Sequence, residues 1–376
     1  MFLALRELSF ARGRFALMGS VVALIGVLMV LLSGLSVGLV NDGVSGLKQL
    51  PVSSFAFQHD VDTSAAFTRS VVDVDTAQTW AAADGVAEAG PFGLALVNTR
   101  TDKDLDLDLA LFGVEQDSWL APQTDEGSPL SAPGQIVLPD TLRDEGVDLG
   151  DVITVDQLGT ELEVVGFMSG QHTFGHVDVG YVDLRTWQEV RAGVRPGEAV
   201  PSHAYEEVSA IAVRNADDAE PDLAAVDAAA DTTTLTLTQS FGASPGFTAE
   251  TSTLQLIQFF LYAISALVVG AFFTVVTIQR KHEIAVLRAM GASTRFLLRD
   301  SLTQSAILLI TSTGLGVGIG LLLGASVSAT SMPFALEPAP IIGASVALVV
   351  LGMVGAASAV TRITRVDPLT ALGGNR

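Results

Sequence analysis

Charged and apolar positions are sharply segregated along this chain. Four stretches, residues 15–40, 254–278, 302–329 and 341–360, contain no Asp, Glu, Lys or Arg. Each is about 20 residues or longer, enough to cross a ~30 Å hydrocarbon core as a helix. The pattern predicts an α-helical membrane protein with four transmembrane helices. Between the first and second stretch, polar and apolar positions alternate on shorter periods, which predicts an α+β extracytoplasmic domain between helices 1 and 2. The predicted division is 1–14 an amphipathic cytoplasmic helix, 15–40 the first span, 41–253 the outer domain and 254–278 the second span. A cytoplasmic loop 279–301, the third span 302–329, an outer loop 330–340, the fourth span 341–360 and a tail 361–376 complete it.

Charge fixes the expected orientation. Residues 41–253 carry 36 Asp+Glu against 9 Lys+Arg, a net of −27, whereas the whole chain stands at −21. The remainder is therefore basic, and its basic residues fall in every second flank of the spans, all on one side of a four-span chain. Arg6, Arg12 and Arg14 precede the first span. Arg280, Lys281, Arg288, Arg295 and Arg299 separate the second from the third, and Arg362, Arg365 and Arg376 follow the fourth. The 330–340 loop has Glu337 and no basic residue. Basic flanks stay in the cytoplasm, so both termini are expected inside a cell membrane and the acidic domain outside it. The first apolar run is longer than a signal-peptide core and no A-x-A site closes it, so it reads as a retained span. The chain has no Cys, so disulfides do not brace the outer domain.

Within that domain, residues 42–132 read as irregular. The alternation Asp102, Asp104, Asp106, Asp108 with leucines between reads as a solvated edge strand, not a calcium loop, because a strand sends alternate residues to opposite faces. Residues 135–138, 152–155, 161–167, 177–184 and 208–214 are predicted strands. Residues 183–191 and 217–230 are predicted helices. His172 and His176, four apart, lie among glycines that argue for a loop, and no further ligand set accompanies them, so a metal site is disfavoured. No nucleophile or metalloprotease motif is present. The lysines are Lys48, Lys103 and Lys281, and none stands in a phosphate-loop context. The chain is expected to be a non-enzymatic subunit with no intrinsic cofactor.

The segment 280–293, RKHEIAVLRAMGAS, reads as a short amphipathic helix at 283–290 ended by Gly291 as a left-handed C-terminal residue, with a second helix from residue 294 into the third span. This segment resembles the signature loop of FtsX-like ABC transporter permeases, the group that includes macrolide-exporter and lipoprotein-release permeases. The tail RVDPLTAL at 365–372 resembles the family's ending. The outer-domain runs GQIVLPDTL, GVDLGDVITV and ELEVVGF resemble its extracytoplasmic core. The resemblance implies that Arg280, Lys281, Glu283, Arg288, Met290 and Gly291 belong to a coupling helix that docks on a separate ATP-binding subunit, with Met290 packing. ATP and Mg would sit on that partner. The resemblance also implies a permease homodimer with two ATPases, working by mechanotransmission. Gly34, Gly38 and the glycines of the third span allow close helix approach, within one subunit or between two.

A stand-alone permease of this length looks most like the haem-efflux branch of the family. Met29, about 14 residues into the first span or ~21 Å from its inner edge, is a candidate ligand for haem iron. Glu250, before the second span, is a candidate partner at the same lateral cleft. Apolar filling and helix-start capping are the ordinary readings of the two. Export of haem or a similar amphipathic compound is the expected function. A lipid- or lipoprotein-extruding permease and a non-transporting mechanotransmitter for a cell-wall hydrolase or peptide sensor are the alternatives.

Overall fold

The computed structural model describes residues 12–279, 286, 290–291, 293–330 and 332–364. The chain divides into two compact units, Met1–Leu39 with Thr251–Arg376, and Val40–Glu250. Among the described residues, the helices of eight residues or more are α1 (Arg12–Lys48), α2 (Leu184–Arg191), α3 (Leu223–Ala230), α4 (Phe247–Gln279), α5 (Thr294–Val327) and α6 (Pro338–Thr364). Of these, α1, α4, α5 and α6 are long and apolar enough to cross a membrane. Helices α1, α4 and α6 contain their predicted stretches and overrun them, while α5 starts before its stretch and ends at Val327, two residues short of it. Helix α1 continues to Lys48, and α4 starts at Phe247, seven residues before the apolar run. The predicted helix over 1–14 and the tail from 365 onward lie outside the described residues, apart from the start of α1 at Arg12.

In the membrane unit, glycines bring backbones together. A Cβ at Gly316 of α5 would meet the Ala23 backbone of α1, and one at Gly320 would meet Val30. Gly26 faces the Thr313 carbonyl and Gly316 Cα in return. Helices α4 and α6 repeat the arrangement at Gly270 and Gly355. Gly34 and Gly38, predicted as a helix-contact motif, instead receive the loop before α6: Phe334 lies on Gly34 and the Pro333 backbone on Gly38. The Gly34 carbonyl accepts from the Ala335 amide at 3.0 Å. Gly314 and Gly318 face open space.

The outer unit has thirteen described strands: β1 (Ser54–Gln58), β2 (Val72–Asp73), β3 (Val86–Thr101), β4 (Asp106–Val114), β5 (Glu126–Gly127), β6 (Gln135–Pro139), β7 (Val152–Val155), β8 (Glu161–Met168), β9 (Thr173–Phe174), β10 (Val177–Asp183), β11 (Glu207–Val208), β12 (Ala210–Asn215) and β13 (Thr232–Thr236). The main sheet runs β13-β1-β12-β3-β4-β10-β6-β8-β5, with β7 on β3 and β8 and with β9 on β10. Strand β10 is parallel to β4, and β6 is parallel to β8; the other pairs are antiparallel. The predicted strands at 135–138, 152–155, 161–167 and 177–184 are present within a residue or so. The helix predicted over 183–191 is α2, capped by Asp183, whose side chain accepts from the Arg185 amide. The helix predicted from 217 begins only at Leu223, after Pro221.

Two readings are corrected. Residues 42–132 are not irregular: the 16-residue β3 is the spine of the sheet, pairing with β12 along its first half and with β4 along its second. The Asp-Leu repeat is not an edge strand, because β4 lies between β3 and β10. The alternation is realised over its second half, while Asp102 and Asp104 lie in the turn before β4, Asp104 at φ 64°. Leu107 and Leu109 are buried while Asp106 and Asp108 face outward, meeting Arg100 at 2.8 Å and the Asn98 amide at 2.8 Å.

Each face of the sheet is covered by a separate core. On one, Phe55, Phe57, Phe67, Phe92, Phe112 and Phe174 are buried together and meet edge to face, as in Phe57–Phe67 at 5.0 Å and Phe67–Phe174 at 5.6 Å between ring centroids. Such pairs add about 0.5–1.5 kcal/mol beyond their buried area. Val44 and Leu47 from the end of α1 join this core. On the other, Trp187 of α2 lies flat on Gly93 and Gly113, where no side chain would fit.

The glycine contacts in the membrane unit give opposite expectations for neighbouring positions. Gly316→Ala forces a methyl into the Ala23 backbone and should destabilise by about 1–3 kcal/mol. Gly318→Ala meets nothing and should be neutral, or gain up to about 1 kcal/mol from helix propensity. Unfolding of both variants in lipid nanodiscs distinguishes them; equal shifts would contradict the close approach of α1 and α5.

Candidate functional site

Helix α1 loses helical geometry at Val44 (φ −150°, ψ 17°). A break of this kind releases carbonyls from the i→i−4 ladder, and here they are taken by distant segments of the outer unit. The Gly43 carbonyl accepts from the Gly175 amide at 2.9 Å and from the Ser244 hydroxyl at 3.0 Å. The Ser45 hydroxyl accepts from the Thr173 amide at 2.9 Å, and the Asn41 carbonyl from the Thr173 hydroxyl at 3.2 Å. The turn between β9 and β10 is thereby pinned on residues 41–45. Gly175 and His176 both take positive φ there, at 60° and 67°. For His176 that conformation is unusual among residues with a side chain, and it directs the imidazole to two carboxylates.

His176 Nδ1 lies 2.7 Å from Asp42 Oδ2, and Nε2 lies 3.2 Å from both oxygens of Glu250. Asp42 comes from α1 and Glu250 from the first turn of α4. An ionised carboxylate only accepts, so two such partners require both ring nitrogens to donate, which is the imidazolium form. The partial burial of His176 opposes that charge. The hydrogen bond to Asp42 and the charges of Glu250 and Asp42 outweigh it and hold the pKa above the ordinary 6.5. Gln171 Nε2 donates to the other oxygen of Asp42 at 3.0 Å. Two residues on, Asp178 is pushed up to about 6, by its burial first and then by the Glu145 charge, with the Thr141 hydroxyl partly offsetting them.

The loop reading of His172 and His176 holds, since neither lies on a helix. Among the described residues, no three His, Asp or Glu side chains are placed to hold a metal ion. The cluster around His176 is an ion-pair network. The sequence reading marked Glu250 and His176 separately. Their meeting depends on a turn that lies 74 residues before Glu250 in the chain, and no spacing in the sequence announces it.

Met29 lies in the membrane unit and is 3% exposed, packed with Ile25, Leu348, Leu261, Tyr262 and Ala344. Glu250 closes the outer unit, its side chain 36% exposed. Of the predicted coupling residues, Arg280, Lys281, Glu283 and Arg288 lie outside the described residues. Gly291 has φ 96°, the left-handed conformation expected of it. Met290, expected to pack, is 71% exposed in the chain by itself, at the end of a turn in which its amide donates to the Val286 carbonyl. Ser293 then caps α5 by accepting from the Phe296 amide at 3.2 Å.

Residues 256–368 match the FtsX-like permease C-terminal family. The whole chain is similar to a protein of Staphylococcus epidermidis named as the hemin transport system permease protein HrtB, 24% identical over 378 residues that cover 100% of this chain and 99% of the relative. A segment of 125 residues is 30% identical to the pyoverdine export ATP-binding/permease protein PvdT of Pseudomonas fluorescens, covering 32% of this chain and 19% of that one. Among solved structures, the periplasmic region of MacB from Actinobacillus actinomycetemcomitans aligns with a TM-score of 0.36 at 11% identity, over 51% of this chain and 92% of that one.

The histidine network sets a pH dependence with a defined sign. Folded His176 keeps its proton above 6.5, so its contribution is present below pH 6.5 and is lost as pH rises through its folded pKa. Folded Asp178 titrates at about 6 against 3.8 when unfolded, so the stability it allows is greatest below 3.8 and is lost between 3.8 and about 6. Both lower the outer unit's unfolding temperature as pH rises. Tryptophan fluorescence reads that unit alone, because Trp80, Trp119 and Trp187 all lie in it. His176→Gln should flatten the profile above pH 6.5 and leave the lower limb; an unchanged upper limb would contradict the imidazolium.

Proposed function

We propose that this chain, an ABC-type permease whose residues 256–368 form an FtsX-like permease C-terminal domain, exports haem or a similar amphipathic hydrophobic compound from the membrane. The likeness over full length to a relative named for hemin transport is the observation that carries this reading. The energy comes from ATP hydrolysis in a separate ATP-binding subunit, since the described spans offer no ionisable relay of the kind that ion-coupled carriers use. Two permeases and two ATPases form the working assembly in a cell membrane. The termini are cytoplasmic and the acidic unit is outside, as the distribution of Lys and Arg favours.

The loop 279–301 docks on the ATPase. Exposure of Val286 and Met290 and the left-handed Gly291 fit a short helix that offers an apolar end to a partner. Motion is transmitted mechanically to the outer unit through α1 and α4, each of which contributes a carboxylate to the His176 network. Met29 and Glu250 serve as substrate-contacting groups. Met29 is packed behind Leu348 and Tyr262, so its thioether meets a ligand only when those side chains move. Glu250 is held by His176, so binding competes with an ion pair.

Haem titration of the permease–ATPase complex in nanodiscs, followed by the Soret band, tests this reading. A saturable, shifted band is expected, with affinity reduced by about tenfold or more in Met29→Ala and in Glu250→Ala, the scale of one lost ligand interaction. A featureless rise that never saturates would remove haem as the substrate, and saturable binding unchanged in both variants would remove Met29 and Glu250 as its contacts.

A further inference from the structure

The outer unit contains a cavity of about 390 Å³ whose lining excludes Asp42, His176 and Glu250. Its volume falls in the range of small-molecule sites. Two largely buried polar side chains, Tyr181 and His172, line it. Tyr181 of β10 is 3% exposed, and its hydroxyl makes no hydrogen bond among the described residues. His172 is 8% exposed; its Nε2 faces the Ser169 carbonyl at 3.3 Å, while its Nδ1 is buried and unpaired. A carbonyl only accepts, so Nε2 carries the proton and Nδ1 presents a lone pair. Burial keeps this imidazole below its ordinary pKa and hence neutral. Buried polar groups are nearly always satisfied, and an unpaired buried nitrogen on the wall of this cavity, beside a hydroxyl that opens into it, points to something that fills it.

The rest of the wall says what that is. Asp125 contributes a carboxylate, held ionised by its hydrogen bonds with Ser169, whose amide donates at 2.9 Å. Leu50, Leu120 and the Trp119 indole supply apolar surface, and neither Lys nor Arg lines the cavity. Arg214 lies over Trp119 but is paired with Glu88. The wall is therefore rich in acceptors, negative and apolar on one side, in a unit whose net charge of −27 concentrates cations.

We propose that this cavity binds a small amphipathic amine, whose N–H groups donate to His172 Nδ1, the Tyr181 oxygen and Asp125, and whose apolar body lies against Leu50, Leu120 and Trp119. The site is separate from the Met29 and Glu250 candidates and stands whether or not the chain exports haem.

Tryptamine is the probe, with indole-3-propionate as an anion of the same ring system. Calorimetric titration of the full chain in nanodiscs, corrected with empty nanodiscs, should give saturable binding of tryptamine and none of the acid. Tyr181→Phe keeps the ring and removes only the hydroxyl. His172→Leu removes the acceptor. Each should weaken tryptamine by about tenfold, the scale of one hydrogen bond to a charged group. Uptake no greater than that of empty nanodiscs would overturn the proposal. So would equal binding of both probes, or wild-type affinity in Tyr181→Phe.

Discussion

The carbonyl of Gly43 is the point on which the base of the outer unit depends. A regular helix would spend it on the amide four residues ahead. Because α1 leaves helical geometry at Val44, that oxygen is shared by Gly175 and Ser244, which arrive from segments more than a hundred residues away. The His176 network, the docking of Val44 and Leu47 into the phenylalanine core and the start of α4 are all arranged around this one interruption. Satisfying a released backbone acceptor is not optional in a partly buried place. The turn that satisfies it also places an imidazole between two carboxylates.

That economy explains why an acidic unit tolerates a concentration of carboxylates where α1 enters and α4 leaves. Asp42 and Glu250 would repel each other if unaccompanied. A single cation that donates to both converts the repulsion into a bridge, and its partial exposure keeps it accessible to protons. The outward-facing aspartates of β4 are handled differently, by one arginine and one amide at the surface, where water does most of the work and little stability is at stake.

Much of this was legible in the sequence. The spans follow from the absence of charge over long runs. The strands β6, β7, β8 and β10 follow from short apolar runs between turn glycines, because local period and local punctuation agree there. What failed did so for non-local reasons. The Asp-Leu repeat gives the faces of β4 correctly, but whether a strand is central or at an edge is decided by its neighbours, here β3 and β10. Strand β3 is masked along the chain by Gly90, Pro91 and Gly93, residue types that ordinarily weaken or interrupt a strand. Gly93 is required by Trp187 lying over it, a demand invisible along the chain. The same holds for Gly34 and Gly38, whose partner is a loop and not a helix. Of the site, Glu250 and His176 were each visible as residues of interest, but their pairing was not. The unpaired nitrogen of His172 is a property of three dimensions alone.

The junction at Gly43 also bears on how such a chain is assembled over longer times. The first and last segments of the outer unit touch through Gly43 and Ser244, so about two hundred intervening residues form a closed excursion whose ends already meet. An insertion of that shape leaves its host helices where they were, and closing it costs only the slow logarithmic penalty of loop length. Such a unit can be exchanged, enlarged or trimmed between the same two helices without redesigning them. Its sequence is free to change while the four long apolar helices keep theirs.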